Sequence, residues 1–409
     1  VSERLLRFCH ITTFYPPYSF GGDAVYVHAL ANELATRGHH VEVIHCRDSY
    51  RLLNGIEPTH PFTNHPNIIV HGLASRAGFL SPLATQQTGF PFFKRQQIQS
   101  ILARGFDVIH YHNVSLVGGP GVLALGNAIK LYSTHEYWLV CPTSVLFRYD
   151  GAACVEKKCL RCQLAHRRPP QWWRYTRILQ NATRHVDAFI CPSCFSAAEH
   201  ARNGLPLNHV IIPNFHTPPQ SSAPTALPAQ TKPYFLYVGR LEHIKGIQTL
   251  LPFFANYARA RLVIAGDGAL RGLVEHAAAQ SPNIEYIGWQ SHADLAQWYR
   301  SATALVVPSI CYEGGPLVLY EAFAHGTPVI ARDIGALGEF VQGNHAGLMF
   351  HDDATLRAAL DFLLDLPAQR DALAENARRA YQTDHTPQVH LERYLNLIAA
   401  LCKKKHKGT

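Results

Sequence analysis

Residues 306–339 read VVPSICYEGGPLVLYEAFAHGTPVIARDIGALGE. An apolar strand-like run leads into a loop, Gly314-Gly315-Pro316 opens a helix, and a second apolar run follows at 329–331. Strand, helix, strand is the unit from which parallel α/β sheets are wound. Pro316 suits the first helical position, where its missing amide costs nothing. Gly314 and Gly315 let the backbone approach a ligand closely. The free amides at the helix start, around Pro316 and Leu317, form with the helix dipole an anion site suited to a diphosphate.

Glu313 lies in the loop before this helix, and Glu321 about a turn and a half inside it. Helical side chains lean toward the N-terminus, so Glu321 can face the same mouth. One carboxylate near a reacting group and one gripping a diol fit that placement. A second stretch, YVGRLEHIKGIQTLL, adds Arg240 at a strand end and Lys245 before a helix start. A cationic pair suits a leaving diphosphate, on which charge develops in the transition state. The chain has no Asp-x-Asp, so no catalytic divalent metal held by that motif is expected, and Arg240 and Lys245 take its place.

The strand–helix pattern repeats along the chain. Strand-like runs fall at 5–11, 41–45, 68–71, 108–112, 129–134, 188–191 and 210–213, and again at 234–238, 261–265, 284–287, 304–307 and 329–331. Helices start near 246, 269, 291 and 316, and 353–402 is helical throughout. Five prolines within 213–232 interrupt the series and read as a linker. The chain therefore divides into 1–213, a linker at 214–232, and 233–385. Both halves are α/β and Rossmann-like, and a ligand cleft is expected between them, at the carboxyl ends of strands.

As a set, these motifs resemble glycosyltransferase family 4, the retaining transferases of the B-type (GT-B) fold. Glu313 and Glu321, with seven residues between, look like its E-x7-E motif. GRLEHIKG looks like its phosphate-binding segment, and YPPYSFGGDAVYVHALANELATRGHHVEV like its N-terminal opening. IHYHN and STHEYW look like its two histidine segments. The resemblance implies a nucleotide-sugar donor on the C-terminal domain and an acceptor on the N-terminal one. It places Glu313 at the sugar and reacting face, Glu321 on the ribose, and Arg240 and Lys245 on the diphosphate. Gly22 falls near the donor phosphates and His135 near the transferred sugar. It also implies that the last helix, about 386–402, returns to the first domain. Gly-Gly-Pro stands after Glu313 where many members have Gly-Phe-Gly, which leaves the donor sugar open; UDP is favoured over GDP or ADP. A nucleotide-sugar epimerase on the same fold is the alternative enzyme reading.

Cys141, Cys154, Cys159 and Cys162, spaced x12, x4 and x2, form an insertion after His135. Four thiolates ending in C-x2-C suit structural Zn²⁺; an iron–sulfur cluster is the second choice. Cys191 and Cys194 form another C-x2-C across a strand end, where packing is the better account.

The net charge is +8. Eight Lys and Arg fall within 157–184 and four lysines within 403–407, while the rest of the chain has 25 basic against 29 acidic residues, a net −4. A mildly acidic body with no recognition module argues against nucleic acid, although a zinc-bearing nucleic-acid binder is the non-enzyme alternative. Trp172, Trp173 and Tyr175 lie among the basic residues, a mix suited to an anionic membrane surface. Residues 78–93 are apolar and turn-rich, either an acceptor loop or core. A 47% hydrophobic and 16% charged chain of 409 residues is globular, and no apolar run reaches the roughly 18 residues a membrane span needs. Without an evident export signal, a cytoplasmic enzyme is expected, peripheral on the inner face of the membrane. Its acceptor is a glycan or a lipid-linked hydroxyl in polysaccharide or envelope glycolipid assembly.

Overall fold

The computed structural model describes residues 4–55, 57–58, 62–219 and 232–407. The chain forms two units. The first comprises residues 1–212 with 390–409, and the second residues 213–389. Much of the 213–232 linker, residues 220–231, lies outside the described residues.

The first unit holds seven parallel strands: β1 (Arg7–Ile11), β2 (His40–Cys46), β3 (Ile68–Leu73), β4 (Val108–Tyr111), β5 (Ile129–Ser133), β6 (Ala188–Cys191) and β7 (His209–Ile211), in spatial order 3-2-1-4-5-6-7. The second holds β8 (Tyr234–Val238), β9 (Arg261–Ala265), β10 (Ile284–Gly288), β11 (Ala304–Val307), β12 (Val329–Arg332) and β13 (Gly347–Phe350), in order 10-9-8-11-12-13. Both are doubly wound. In each, the order reverses beside the first strand, between β1 and β4 and between β8 and β11, which is where open α/β sheets bind ligands.

Central strands covered on both faces read as continuous apolar runs. β9 and β11, RLVIA and ALVV, obey this. Their side chains pack with Leu250, Phe254 and Leu360 in a fully buried core. Truncating one of these to Ala costs about 2–5 kcal/mol. The first unit departs from the rule. Cys9, Ile11, Ile109 and Tyr111 enter its main core, whereas the opposite face of β1 and β4 carries His10 and His110, fully buried.

Several sequence boundaries shift. Leu5 is exposed and β1 begins at Arg7. The helix expected from 269 begins at Arg271. Pro316 is not the first helical residue but the N-cap, in extended conformation, of the helix Leu317–His325. The helical region after 353 is three helices, Asp353–Asp365, Pro367–Ala380 and Pro387–Lys407, the last two divided by a π turn at Tyr381–His385. Pro367 and Pro387 cannot supply the amides a continuous helix requires. Residues 80–88 of the apolar stretch form a helix, Leu80–Thr88.

Candidate functional site

In the second unit, the residues the sequence singled out collect at the carboxyl ends of β8 and β11. The loop after β11 carries Ser309 and Glu313. The loop after β8 carries Arg240 and ends in a short turn, His243–Lys245. Gly246 makes the approach of the two loops possible. Its φ is 77°, and a Cβ there would lie 1.9 Å from the Pro308 carbonyl oxygen. Lys245 Nζ donates to Glu313 Oε1 at 2.6 Å, and Ser309 Oγ to the same oxygen at 2.7 Å. Burial alone would push the Glu313 carboxyl up. The Lys245 ammonium, the bonds from Lys245 and Ser309, and Arg240 outweigh it and hold Glu313 below the usual range. Lys245 is held above its usual value by the converse balance: burial lowers it, and Glu313 more than compensates. Glu313 is therefore a carboxylate at neutral pH. Arg240 Nη1 lies 2.7 Å from Glu242 Oε1 on a half-exposed surface.

Glu321 occupies the second turn of the helix Leu317–His325 and is buried. Tyr299 donates its hydroxyl to Oε2 at 2.7 Å, and His292 Nδ1 lies 3.5 Å from Oε1. Tyr299 thus fixes the carboxylate plane. No side chain caps this helix, and the Gly315 carbonyl accepts from Asn214 Nδ2 at 3.0 Å.

In the first unit, Gly22 is the first residue of the helix Gly22–Thr36, after an uncapped Gly21. His135 follows β5 and joins a file of imidazoles. His10 Nδ1 lies 3.0 Å from His112 Nε2, and His112 Nδ1 lies 3.0 Å from His135 Nε2. His10 Nε2 is buried without a partner. A buried unpaired N–H is costlier than a buried lone pair. The His10 proton therefore sits on Nδ1, each ring donates to the next, and the proton of His135 is left on Nδ1. Burial holds His135 down to about 4, against the pull of Asp23, so the ring is a neutral donor.

The rings of His10, His110 and His112 offer nitrogens within 4.8 Å of one another. Hydrogen bonds already account for this grouping, since His110 is held between Ser133 Oγ at 2.9 Å and Tyr394 OH at 3.0 Å. Tyr394 belongs to the last helix, whose residues from His390 onward fall within the first unit. His390 Nε2 likewise meets Tyr26 OH at 2.9 Å.

The profile described as Glycosyltransferase Family 4 matches residues 20–217, and that described as Glycosyl transferases group 1 matches residues 222–380. The chain belongs to glycosyltransferase family 4. Glycogen synthase of Mycobacterium tuberculosis (strain ATCC 25618 / H37Rv) is 26% identical to this transferase over 425 residues, spanning 93% of this chain and 91% of that enzyme. Among solved structures, sucrose-phosphate synthase from Thermosynechococcus elongatus superposes with a TM-score of 0.74 at 24% identity, covering 97% of this chain and 100% of that one. Anabaena HepE in complex with UDP-glucose superposes at 0.67 and 14% identity, covering 97% and 100%. These structural likenesses are of fold, and the fold is GT-B. In the second unit, Ser309, Tyr299 and His292 beside the two glutamates escaped sequence reasoning, as did His10 and His112 behind His135 in the first. The signal was faint: Ser309 precedes Glu313 by one helical-turn spacing, and His10, His112 and His135 recur at or just beyond the carboxyl ends of three neighbouring strands.

Proposed function

We propose that this glycosyltransferase moves a sugar from a UDP-sugar to a hydroxyl acceptor with retention at the anomeric carbon. The observation that carries the reading is the Lys245–Glu313 pair at the β8–β11 switch point, with Arg240 on the adjoining loop. Arg240, Lys245, the loop Gly314-Gly315-Pro316 and the helix start at Leu317 receive the diphosphate. Glu321, oriented by Tyr299, accepts from the ribose hydroxyls. Glu313 is ionised and therefore cannot donate a proton. It accepts from the sugar and offsets positive charge as the anomeric C–O bond to the diphosphate breaks. The acceptor oxygen bonds to that carbon on the face the diphosphate vacates, and the acceptor proton passes to the departing phosphate oxygen. His135, neutral and protonated at Nδ1, is available in the first unit to donate to a sugar hydroxyl. UDP is favoured because HepE, of the same fold, is described in complex with UDP-glucose.

The acceptor side fits a lipid-linked hydroxyl at an anionic membrane surface. No helix among the described residues is long and apolar enough to cross a membrane. Phe79, Leu80, Phe92 and Phe93 are exposed, while the neighbouring Lys94 is buried, 2.9 Å from Asp48. The helix Leu80–Thr88 and residues 169–173 are tied together, since Gln86 Nε2 donates to the Pro169 carbonyl at 2.7 Å and Trp173 Nε1 to the Gln86 carbonyl at 2.9 Å. That brings exposed Trp172 and Tyr175, with exposed Arg76, Arg95, Arg167 and Arg168, into the same region of the unit. Two residues assigned to a membrane from sequence do not belong there. Trp173 is buried against Trp138, and Arg174 stacks beneath both rings. Lys405 is likewise occupied, 2.8 Å from Asp187.

The test is product analysis with UDP-glucose and a panel of hydroxyl acceptors. Acceptor-dependent UDP release with an α-linked product supports the proposal. Acceptor-independent conversion of the donor to an epimeric UDP-sugar, with no net release of UDP, would assign the epimerase reading instead.

A further inference from the structure

We propose that Cys141, Cys154, Cys159 and Cys162 bind one Zn²⁺ that organises the 134–176 segment of the first unit, independently of the donor chemistry. These thiols are distributed over three local structures. Cys141 closes a turn by accepting at its carbonyl from the Ser144 amide. Cys154 follows the isolated bridge between Phe147 and Ala153. Cys159 and Cys162 lie three apart in the first turn of the helix Cys159–Ala165, so they share one of its faces. All four are free thiols, and Cys154 feels the other three electrostatically. No three of the sulfurs lie within 4.8 Å of one another among the described residues. Tetrahedral Zn–S bonds of about 2.3 Å bring sulfurs to roughly 3.8 Å, so binding closes the segment around the metal.

Two further observations fit a metal centre in this segment. The Arg174 guanidinium is held by the carbonyls of Trp138 and Leu139 and by Gln171 Oε1, over the Trp173 ring at 4.3 Å. Cys141 and Cys159 are the first groups whose negative charge would stabilise it, ahead of Tyr132 and the Glu136 carboxylate. A cation so placed is stabilised by a nearby negative charge. Gln171 also donates to the Pro142 carbonyl at 3.2 Å, so Arg174 and Gln171 brace both sides of Cys141. The second observation is conformational. Among the described residues four non-glycine residues adopt positive φ, and three of them, Ser144 at 72°, Leu146 at 48° and Arg167 at 52°, lie in or beside the cysteine segment. Such conformations persist where the surroundings over-determine them. Four metal bonds supply that constraint in a stretch where β5 and the helix at Cys159 are separated by 25 residues without a regular strand or helix.

On binding, each thiol loses its proton to solvent, and Zn²⁺ with four thiolates carries a net charge of −2, which Arg174 and Lys157 offset. No oxidation is involved. Four thiolates leave no open position for water, so the metal is structural.

The full chain, purified without chelator under reducing conditions, is expected to contain one zinc per chain by elemental analysis. The Cys154→Ser/Cys162→Ser double variant is expected to lose it, with rapid proteolysis inside 141–168, while Cys191→Ser/Cys194→Ser keeps it. Should the first variant aggregate, cobalt titration of the metal-stripped wild-type chain decides, with tetrahedral cobalt–thiolate absorption expected at one equivalent. A wild-type chain that holds no stoichiometric zinc after reconstitution and shows no cobalt–thiolate band overturns the proposal. So does iron with a visible cluster band, or full zinc retention in the Cys154/Cys162 variant.

Discussion

Lys245 Nζ lies 2.6 Å from Glu313 Oε1, so the two residues placed independently on a leaving diphosphate and a reacting sugar are one partly buried ion pair. Each partner fixes the other's charge. Removing Lys245 leaves Glu313 with burial as the chief influence on its carboxyl, which then rises. In Lys245→Met the acid limb of the kcat/KM profile is expected to move to higher pH, alongside a loss on the order of 10²–10³ in rate. Glu313→Gln, which keeps the shape and removes the charge, should lose kcat by a similar factor and flatten that limb. Steady-state rates across pH 5–9 check both; an unmoved limb in Lys245→Met would show that the pair does not govern Glu313.

On the proposed reading, Glu321 and Tyr299 act on binding more than on turnover. Glu321→Ala is expected to raise the donor KM with kcat changed less. Tyr299→Phe removes one hydrogen bond to a buried carboxylate and should weaken donor affinity by about 1.5–3 kcal/mol, without moving the pH dependence of kcat. Donor titrations of the two variants separate this from a catalytic role, in which kcat would fall at saturating donor.

The buried imidazoles make the first unit acid-sensitive. Burial lowers His10 to about 3 and holds His110 and His112 well below the ordinary value, with neighbouring histidines adding to the effect. In the unfolded chain all three titrate near 6.5. The unfolded state therefore binds more protons below that pH, and stability is full above about 6.5 and is lost as pH falls toward the folded-state values. Each histidine contributes up to about 1.4 kcal/mol per pH unit in that window. Denaturant unfolding at pH 7.5, 6.5 and 5.5 should show stability falling steeply over the last interval, and a flat profile would count against the neutral imidazole file.

Phe92 and Phe93 remain in solvent while Lys94 is buried beside Asp48, and the proposed membrane contact is tested at this edge. Co-sedimentation is expected with anionic vesicles at low salt, lost at high salt as charges are screened. Phe92→Ser/Phe93→Ser and Arg167→Gln/Arg168→Gln should each weaken it. Retention of full binding by both variants would place the contact elsewhere.

Much of this site was legible because its chemistry is local in sequence. Glu313, the two glycines and Glu321 share one loop and helix, and apolar runs at β8, β9, β11 and β12 mark a parallel sheet without further help. β13 escaped because Gly347–Phe350 is an edge strand of four residues in which only Phe350 is fully enclosed, too short for a periodic signal. The Lys245–Glu313 bond was not legible, because it depends on Gly246 backing onto the Pro308 carbonyl, an approach between loops 62 residues apart. Trp173 and Arg174 misled for a related reason. Beside arginines a tryptophan reads as interfacial, and only the fold shows that Trp173 fills the space under Gly89 and Trp138. The histidine file was hidden because each imidazole is ordinary on its own strand, and the parallel register, with His10 opposite His110, brings them together.

The most direct measurement is nucleotide-sugar binding to the wild-type chain and to Arg240→Ala/Lys245→Ala, by thermal shift with UDP-, GDP- and ADP-glucose, with and without EDTA. Wild-type protein is expected to gain about 2.7 kcal/mol at a hundredfold excess of UDP-glucose over its Kd, unchanged by brief EDTA treatment and largely lost in the double variant. Stabilisation by none of the three donors, or equal stabilisation of the double variant, would contradict the assignment of these cations to the donor diphosphate.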